Sequence, residues 1–250
     1  MARSHRPQTY FRTFDSIPGW FDRADAALFC LFDHLQRKGG IQGDILEIGV
    51  YGGKSATLLG FLCAECEELH VCDPFEQISR REFEATYLRF HGRLPRVLQV
   101  QSQDLGSELS DGSFRFVHID GAHDYDAVRT DIATARRVLR PGGVVVFDDF
   151  PTFEYPDVTA AVLDEMRSGA LVPCVLSQVK LYATWTPLPG LEPDALLATV
   201  RADRHLAAET RSLFGRQIVA AWGPPTLGYA IRTRAPTLYA RLLRMYRALG

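Results

Sequence analysis

Apolar residues at Phe21, Ala24, Leu28, Leu31, Phe32 and Leu35 recur at steps of three and four, with one adjacent pair. The spacing predicts an amphipathic helix over residues 20–38, stopped by Gly39-Gly40. The pattern then changes to short continuous apolar runs: Ile45–Ile48, Leu69–Cys72, Val97–Val100, Phe114–Ile119 and Val144–Phe147. Helical patterns lie between some of them, from about Lys54 to Cys63 and from about Tyr125 to Leu139, the latter closed by Pro141-Gly142-Gly143. Continuous apolar strands alternating with helices predict a parallel sheet covered on both faces. Two further runs, Leu171–Leu176 and Val179–Thr184, are separated by Ser177-Gln178 and predict an antiparallel hairpin at its edge. Beyond Pro187, Pro189 and Pro193 the pattern from Asp194 to Trp222 reads as helical, with Leu206, Leu213, Phe214, Ile218 and Trp222 along one side. A last helix carries Leu238, Leu242, Met245 and Leu249 opposite Arg241, Arg244 and Arg247. The chain thus divides into an N-terminal arm and cap helix (1–39), a sheet-forming core (40–186) and a helical C-terminal extension (187–250).

At 250 residues, with 46% hydrophobic and 23% charged positions, the chain reads as soluble and globular and can bury a large core without disulfides. Five cysteines and the absence of an apolar leader fit a reduced, cytoplasmic protein. Cys63-x-x-Cys66, with His70 and Cys72, has metal-like spacing, but Cys72 lies inside a strand pattern and no second CxxC follows. Buried thiols are the better reading. No run approaches a membrane span, so stable membrane insertion is not expected. The net charge of −2 conceals an asymmetry: residues 201–250 hold nine Arg against Asp203 and Glu209, a surplus of +7 over a body at −9. An acidic body argues against nucleic acid as a partner. The basic tail is read as a helix docked on that body, with dimerisation, a lid over a neighbour or reversible association with anionic membrane as alternatives; a homo-oligomer is expected.

Ligands of open α/β sheets bind beyond the carboxyl ends of the strands. Those ends carry Glu47-Ile-Gly49-Val-Tyr51-Gly-Gly53, Asp73, Gln101-Ser102, Asp120 and Asp148-Asp149. The loop lacks the second glycine of a G-x-G-x-x-G dinucleotide fingerprint, and its acidic rim would repel phosphate. S-adenosylmethionine, with a sulfonium, an ammonium and a ribose but no phosphate, suits it better. Asp73 is placed to accept the ribose hydroxyls, Gly49 and Gly53 to admit the methionine moiety, and Ser55 to bind its carboxylate near a helix N-terminus.

Three carboxylates, Asp120, Asp148 and Asp149, would meet at the ends of adjacent strands and repel one another unless a cation intervened. An all-oxygen set suits Mg²⁺, with Mn²⁺ or Ca²⁺ as alternatives. A dication would acidify a substrate hydroxyl, and His123, near neutrality at its ordinary pKa of about 6.5, would take the proton. The bland alternative keeps Asp120 for the cofactor, Asp148 and Asp149 for a loop, and His123 as a surface residue. His118, within a strand, reads as structural.

Glu47-Ile-Gly-Val-Tyr-Gly-Gly-Lys-Ser55, together with Asp73 and the Pro-Gly-Gly before the fifth strand, resembles the first motif and later landmarks of class I S-adenosylmethionine-dependent methyltransferases over roughly residues 18–186. The resemblance implies a Rossmann-like fold with a seven-stranded, mostly parallel sheet. It also implies cofactor contacts from Glu47, Gly49, Tyr51, Gly53, Ser55, Asp73, Ser102 and Asp120. Asp-x-x-His after the fourth strand and the acidic pair after the fifth resemble the Mg²⁺-dependent O-methyltransferases of antibiotic biosynthesis, of the macrocin and mycinamicin type. On that resemblance Asp120, Asp148 and Asp149 hold the metal, His123 is the base, and a small hydroxylated, possibly glycosylated molecule is the acceptor. Some relatives carry a further aspartate where this chain has Ala122, which leaves His123 alone in the role, with Asp124 as a weaker substitute. A metal-independent methyltransferase acting on nitrogen or another acceptor, and a non-catalytic binder of the cofactor, remain as competitors. Tyr10, Phe11, Phe14 and Trp20 are read as an aromatic lid or a packed arm, and Phe150–Pro156 as a pocket wall or core.

Overall fold

The computed structural model describes residues 6–105, 108–223 and Thr237. Its sheet has the parallel strands β1 (Asp44–Ile48), β2 (Leu69–Cys72), β3 (Arg96–Leu98), β4 (Phe114–Ile119) and β5 (Leu139–Phe147), followed by β6 (Val172–Leu176), β7 (Leu181–Thr184), β8 (Ala207–Leu213) and β9 (Arg216–Trp222). The spatial order is β3-β2-β1-β4-β5-β7-β6-β9-β8. β7 enters antiparallel to both β5 and β6, as the hairpin reading expected. Every residue of β2 and β4 is buried, including His70, Arg115 and His118, which interrupt their otherwise apolar runs.

One face of the sheet is covered by α1 (Arg6–Thr13), α2 (Arg23–Lys38), α3 (Lys54–Leu62), α4 (Arg80–Leu88) and α7 (Pro193–Ala202). The other is covered by α5 (Tyr125–Val138) and α6 (Pro156–Arg167), which contribute Val128, Ile132, Ala135, Val158, Ala161 and Val162 to the second core layer. Asp22 caps α2 by accepting from the Asp25 N–H, and Ser79 with Glu82 forms a capping box at α4. No helix among the described residues is long and apolar enough to cross a membrane. Cys63 and Cys72 are buried, whereas Cys66 is exposed.

Two expectations are corrected. Among the described residues the sheet has nine strands rather than seven, and residues 194–222 do not form one helix: α7 stops at Ala202, and β8 and β9 form a hairpin whose outer half is β8. The reason lies at Phe214-Gly215. Both take positive φ, 50° and 73°, the backbone of a two-residue turn whose twist matches paired strands. β9 then docks parallel to β6 through Val219 and Ala220. The final helix, with Leu238 and Arg241, lies outside the described residues.

Candidate active site

The strand order reverses between β1 and β4, and a cavity of about 950 Å³ opens beyond their carboxyl ends. Gly49, Tyr51, Asp73, Ser102 and Asp120 line it, as do His123, Asp148 and Asp149. Gly49 is left-handed (φ 80°), and a Cβ there would collide with the Asp120 carbonyl, so β1 and β4 close against each other only around a glycine. Asp73 accepts from the backbone N–H groups of Val50 (2.8 Å) and Tyr51 (3.3 Å) with one oxygen and from Phe75 N–H (2.6 Å) with the other. The carboxylate thereby fixes the glycine loop from the neighbouring strand.

Glu47, Gly53 and Ser55 do not line the cavity. Gly53 (φ 86°) starts α3 with its α-carbon turned toward Phe83, and Ser55 is buried in the first turn of that helix. Glu47 is register partner to His118 in the neighbouring strand, so their side chains share a face and meet: His118 Nδ1 lies 2.8 Å from Glu47 Oε1, both fully buried. The other Glu47 oxygen has no hydrogen-bond partner. His118 keeps the structural place read for it, but its Nε2 reaches to 3.7 Å from Asp148.

At the ends of β4 and β5, the carboxylates are not three bare groups. Lys180, immediately before β7 and 1% exposed, places its ammonium on Asp148 Oδ2, while the Asp149 N–H donates to Asp148 Oδ1 (2.8 Å). Burial opposes ionisation of Asp148, yet the Lys180 ammonium and His118 hold its carboxyl well below the usual range. Asp120 moves the other way: burial and the adjacent Asp148 raise its pKa well above that of a free aspartate. Against the effect of burial, Lys180 is raised by Asp148, Asp120 and Asp25, and His118 by Asp148 and Glu47. Sequence reading missed Lys180. Its signal was a charged residue inside the apolar run Val179–Thr184.

His123 Nε2 lies 2.9 Å from Asp149 Oδ2, in ion-pair range without the alignment of a hydrogen bond. Its ring stacks on Tyr155 at 3.9 Å between centroids and 15° between planes. Asp149 itself has φ 55°, a conformation unusual outside glycine and one that turns its carboxylate toward His123. Donor atoms of Asp120, His123 and Asp149 lie within 4.8 Å of one another, and so do those of His118, Asp120 and Asp148. Asp124, read as a substitute base, instead caps α5 by accepting from Ala127 N–H (3.0 Å).

The mouth is aromatic. Trp20, 77% exposed, stacks on Tyr51 at 4.5 Å, and Tyr155 with Glu154 forms part of the opposite lining. Tyr10 and Phe14 are buried, so the N-terminal segment is a packed arm that delivers one exposed ring to the cavity. Phe150 is core, and Phe153 stands 92% exposed beside Glu154.

Residues 46–150 match a family described as a methyltransferase domain. The fold is similar to that of the O-methyltransferase NovP (TM-score 0.56, 18% identity, 65% of this chain and 80% of that one). It is also similar to the S-adenosylhomocysteine-bound methyltransferase PaMTH1 of Podospora anserina (0.53, 13%, 73% and 88%). A third similar structure is apo CalS11, a TDP-rhamnose 3′-O-methyltransferase of calicheamicin biosynthesis (0.51, 14%, 74% and 94%). At these identities the likeness is one of fold. A comparison with curated proteins gives no match. The matched segment spans under half of the chain, and strand order and the likeness of fold show the Rossmann-like class I methyltransferase fold.

Proposed function

We propose that the protein transfers a methyl group from S-adenosylmethionine to a hydroxyl of a small natural product, such as a sugar moiety, with His123 as general base. The observation that carries this reading is the His123–Asp149 pair, held by Tyr155 at the edge of the cofactor cavity. Asp149 orients the imidazole and stabilises its protonated form, leaving Nδ1 to receive the acceptor's proton as its oxygen attacks the sulfonium methyl carbon. The carbon–sulfur bond breaks as the carbon–oxygen bond forms, S-adenosylhomocysteine leaves, and the proton remains on His123. The rim contributes proximity, and Trp20 and Tyr155 supply flat apolar faces for a ring-bearing acceptor. Oxygen as the acceptor atom is favoured by NovP and CalS11, both O-methyltransferases.

A hard dication fits part of the acidic set. Asp120 and Asp149, with His123, bring ligand atoms within 4.8 Å of one another, and the raised Asp120 carboxyl marks a like-charge cluster that a cation would relieve. Asp148 completes the set where Lys180 yields its place. Bound there, Mg²⁺ would lower the pKa of an acceptor hydroxyl and fix its orientation. The Lys180–Asp148 pair also favours a second reading, in which the ammonium supplies the positive charge and no metal is required. Methyl transfer from labelled S-adenosylmethionine to a panel of sugars and phenols, with and without EDTA, tests both. Turnover abolished by EDTA and restored by Mg²⁺ supports the metal reading, and turnover indifferent to chelation supports the second. Transfer that survives intact in His123→Ala would sink the assigned base.

A further inference from the structure

The described sheet ends at β3 on one side and at β8 on the other. β3 is three residues long, follows Pro95 and carries the exposed Arg96, all features that discourage further pairing. β8 has none of these. Its seven residues pair with β9 in unbroken register and include neither proline nor lysine. The two-residue turn at Phe214-Gly215 makes Leu213 and Arg216 the first hydrogen-bonded pair, so Leu213, Arg211, Glu209 and Ala207 bond to β9. Ala208, Thr210 and Ser212 therefore aim their backbone N–H and carbonyl groups away from the sheet. Two guanidinium groups mark that direction: Arg201 Nε donates to the Ala208 carbonyl (3.0 Å) and Arg211 Nη1 to the Thr210 carbonyl (3.5 Å). Among the described residues no strand pairs with this edge. Glu209 and Arg211 share one face of it, with side chains 40% and 58% exposed, and are ion-paired to each other.

We propose that β8 is the contact through which two copies of this chain dimerise, pairing antiparallel about a twofold axis at Thr210 and joining their sheets into one. Outward-facing groups of one strand must meet outward-facing groups of the other, which limits the possible registers to steps of two residues. An axis at Glu209 sets that carboxylate opposite its own counterpart, and an axis at Arg211 does the same with two guanidinium groups. Like charges directly opposite are unfavourable. The axis at Thr210 instead puts Glu209 opposite Arg211 of the second copy, twice, and gives the longest overlap, with Ala207 facing Leu213 at each end. Thr210 then exchanges two backbone bonds with its counterpart, and Ala208 does so with Ser212 on either side. The Ala208 carbonyl keeps a second lone pair for this, beside the one that Arg201 occupies. The ion pair within each strand becomes part of a square of four alternating charges. Backbone bonds supply the affinity, and the charges select partner and register. A second copy is the partner that fits, because the strand is complementary to itself: one acid and one base stand symmetrically about Thr210.

Sedimentation equilibrium of the full chain over a range of concentrations tests this. The wild-type protein is expected to pass from the mass of one chain to that of two as concentration rises. Glu209→Arg and Arg211→Glu each set like charges opposite one another across the axis, and each should weaken dimerisation by about tenfold or more. Mixed in equal amounts, the two variants bring a doubly basic strand against a doubly acidic one, and a heterodimer should form as readily as the wild-type dimer. Thr210→Pro removes an N–H that β9 does not use, so it should abolish the dimer and leave the melting temperature near that of the wild type. Hydrogen exchange should find the Thr210 amide protected in the dimer and open on dilution. A wild-type protein that stays monomeric at every concentration overturns the proposal, as does a Thr210 amide protected in the monomer, which would mean that the chain covers its own edge. A dimer unmoved by both charge variants, or one that the mixture fails to restore, also overturns it and places the contact elsewhere.

Discussion

Lys180 holds its ammonium against the Asp148 carboxylate with only 1% and 9% of the two side chains exposed. Removing one partner of such a pair strands the other charge in a low-dielectric setting. Lys180→Met is expected to lose on the order of 3 kcal/mol of stability. Asp148 would then be open to a cation, so added Mg²⁺ should raise the melting temperature of the variant more than that of the wild type. Differential scanning calorimetry with and without Mg²⁺ measures both effects. An equal Mg²⁺ response in the two proteins would show that Lys180 does not compete with the ion.

Loss of the proposed base should leave binding intact. His123→Ala is expected to slow methyl transfer by ~10²–10⁴-fold. Affinity for S-adenosylhomocysteine stays within twofold to threefold of wild type, about half a kcal/mol. Asp149→Asn keeps the size of the side chain but loses the charge that stabilises the imidazolium, and it should give a smaller defect of the same kind. Single-turnover kinetics beside titration of the product separate chemistry from binding. A His123→Ala defect expressed as weaker cofactor binding would move this residue out of the chemical step.

Two left-handed glycines of opposite surroundings isolate the steric term. Gly40→Ala, at φ 71° with no neighbour within 4 Å of a new Cβ, should cost only the conformational penalty of about 1–2 kcal/mol. Gly49→Ala adds a collision with the Asp120 carbonyl and should both destabilise the fold further and weaken cofactor binding by more than tenfold. Denaturant melts and product titration on the pair check this; matching behaviour would contradict the tight closure of β1 on β4.

A pH signature is expected from Asp25, buried on α2, where Tyr182 O–H donates to Oδ1 (2.7 Å) and Oδ2 has no partner. Burial raises its pKa to about 6 from 3.8. The folded state therefore holds this proton more tightly than the unfolded chain. The stability it contributes is complete below pH 3.8 and is lost as pH rises through about 6, a change on the order of 3 kcal/mol. Asp25→Asn retains the acceptor for Tyr182 and cannot ionise. Relative to wild type, its melting temperature should be higher at pH 8 than at pH 5. A constant difference across that range would place the titration elsewhere.

The strand ends were legible because the sequence writes them twice, as an apolar run and as the polar residue that stops it. Asp73, Asp120 and Asp148-Asp149 were found in this way and do converge on one cavity. The residue that was missed interrupts an apolar pattern rather than ending one. Lys180 sits within a strand run and looks like an error in the pattern until the neighbouring elements are in place. Glu47 was misplaced for a related reason. A motif fixes a residue's position along the strand, but the pleat decides its face, and here that face meets His118 instead of the cavity. The β8–β9 hairpin was hidden because Phe214-Gly215 looks like a flaw in a helix, whereas the positive φ of both residues makes it the turn that defines the pair.

Pro18 rests on Gly52, Gly19 on the Lys54 side chain, the Lys54 ammonium lies 4.0 Å over the Phe14 ring, and Trp20 covers Tyr51. The segment before α2 is thus fastened at four points to the glycine loop and the first residue of α3. It contributes the rings of Trp20 and Phe21 to the cavity lining. On the proposed function, chemistry and selection fall to separable pieces of chain. Grafting a different arm onto the same loop would redraw which molecules are admitted without rewriting how a methyl group is passed to them.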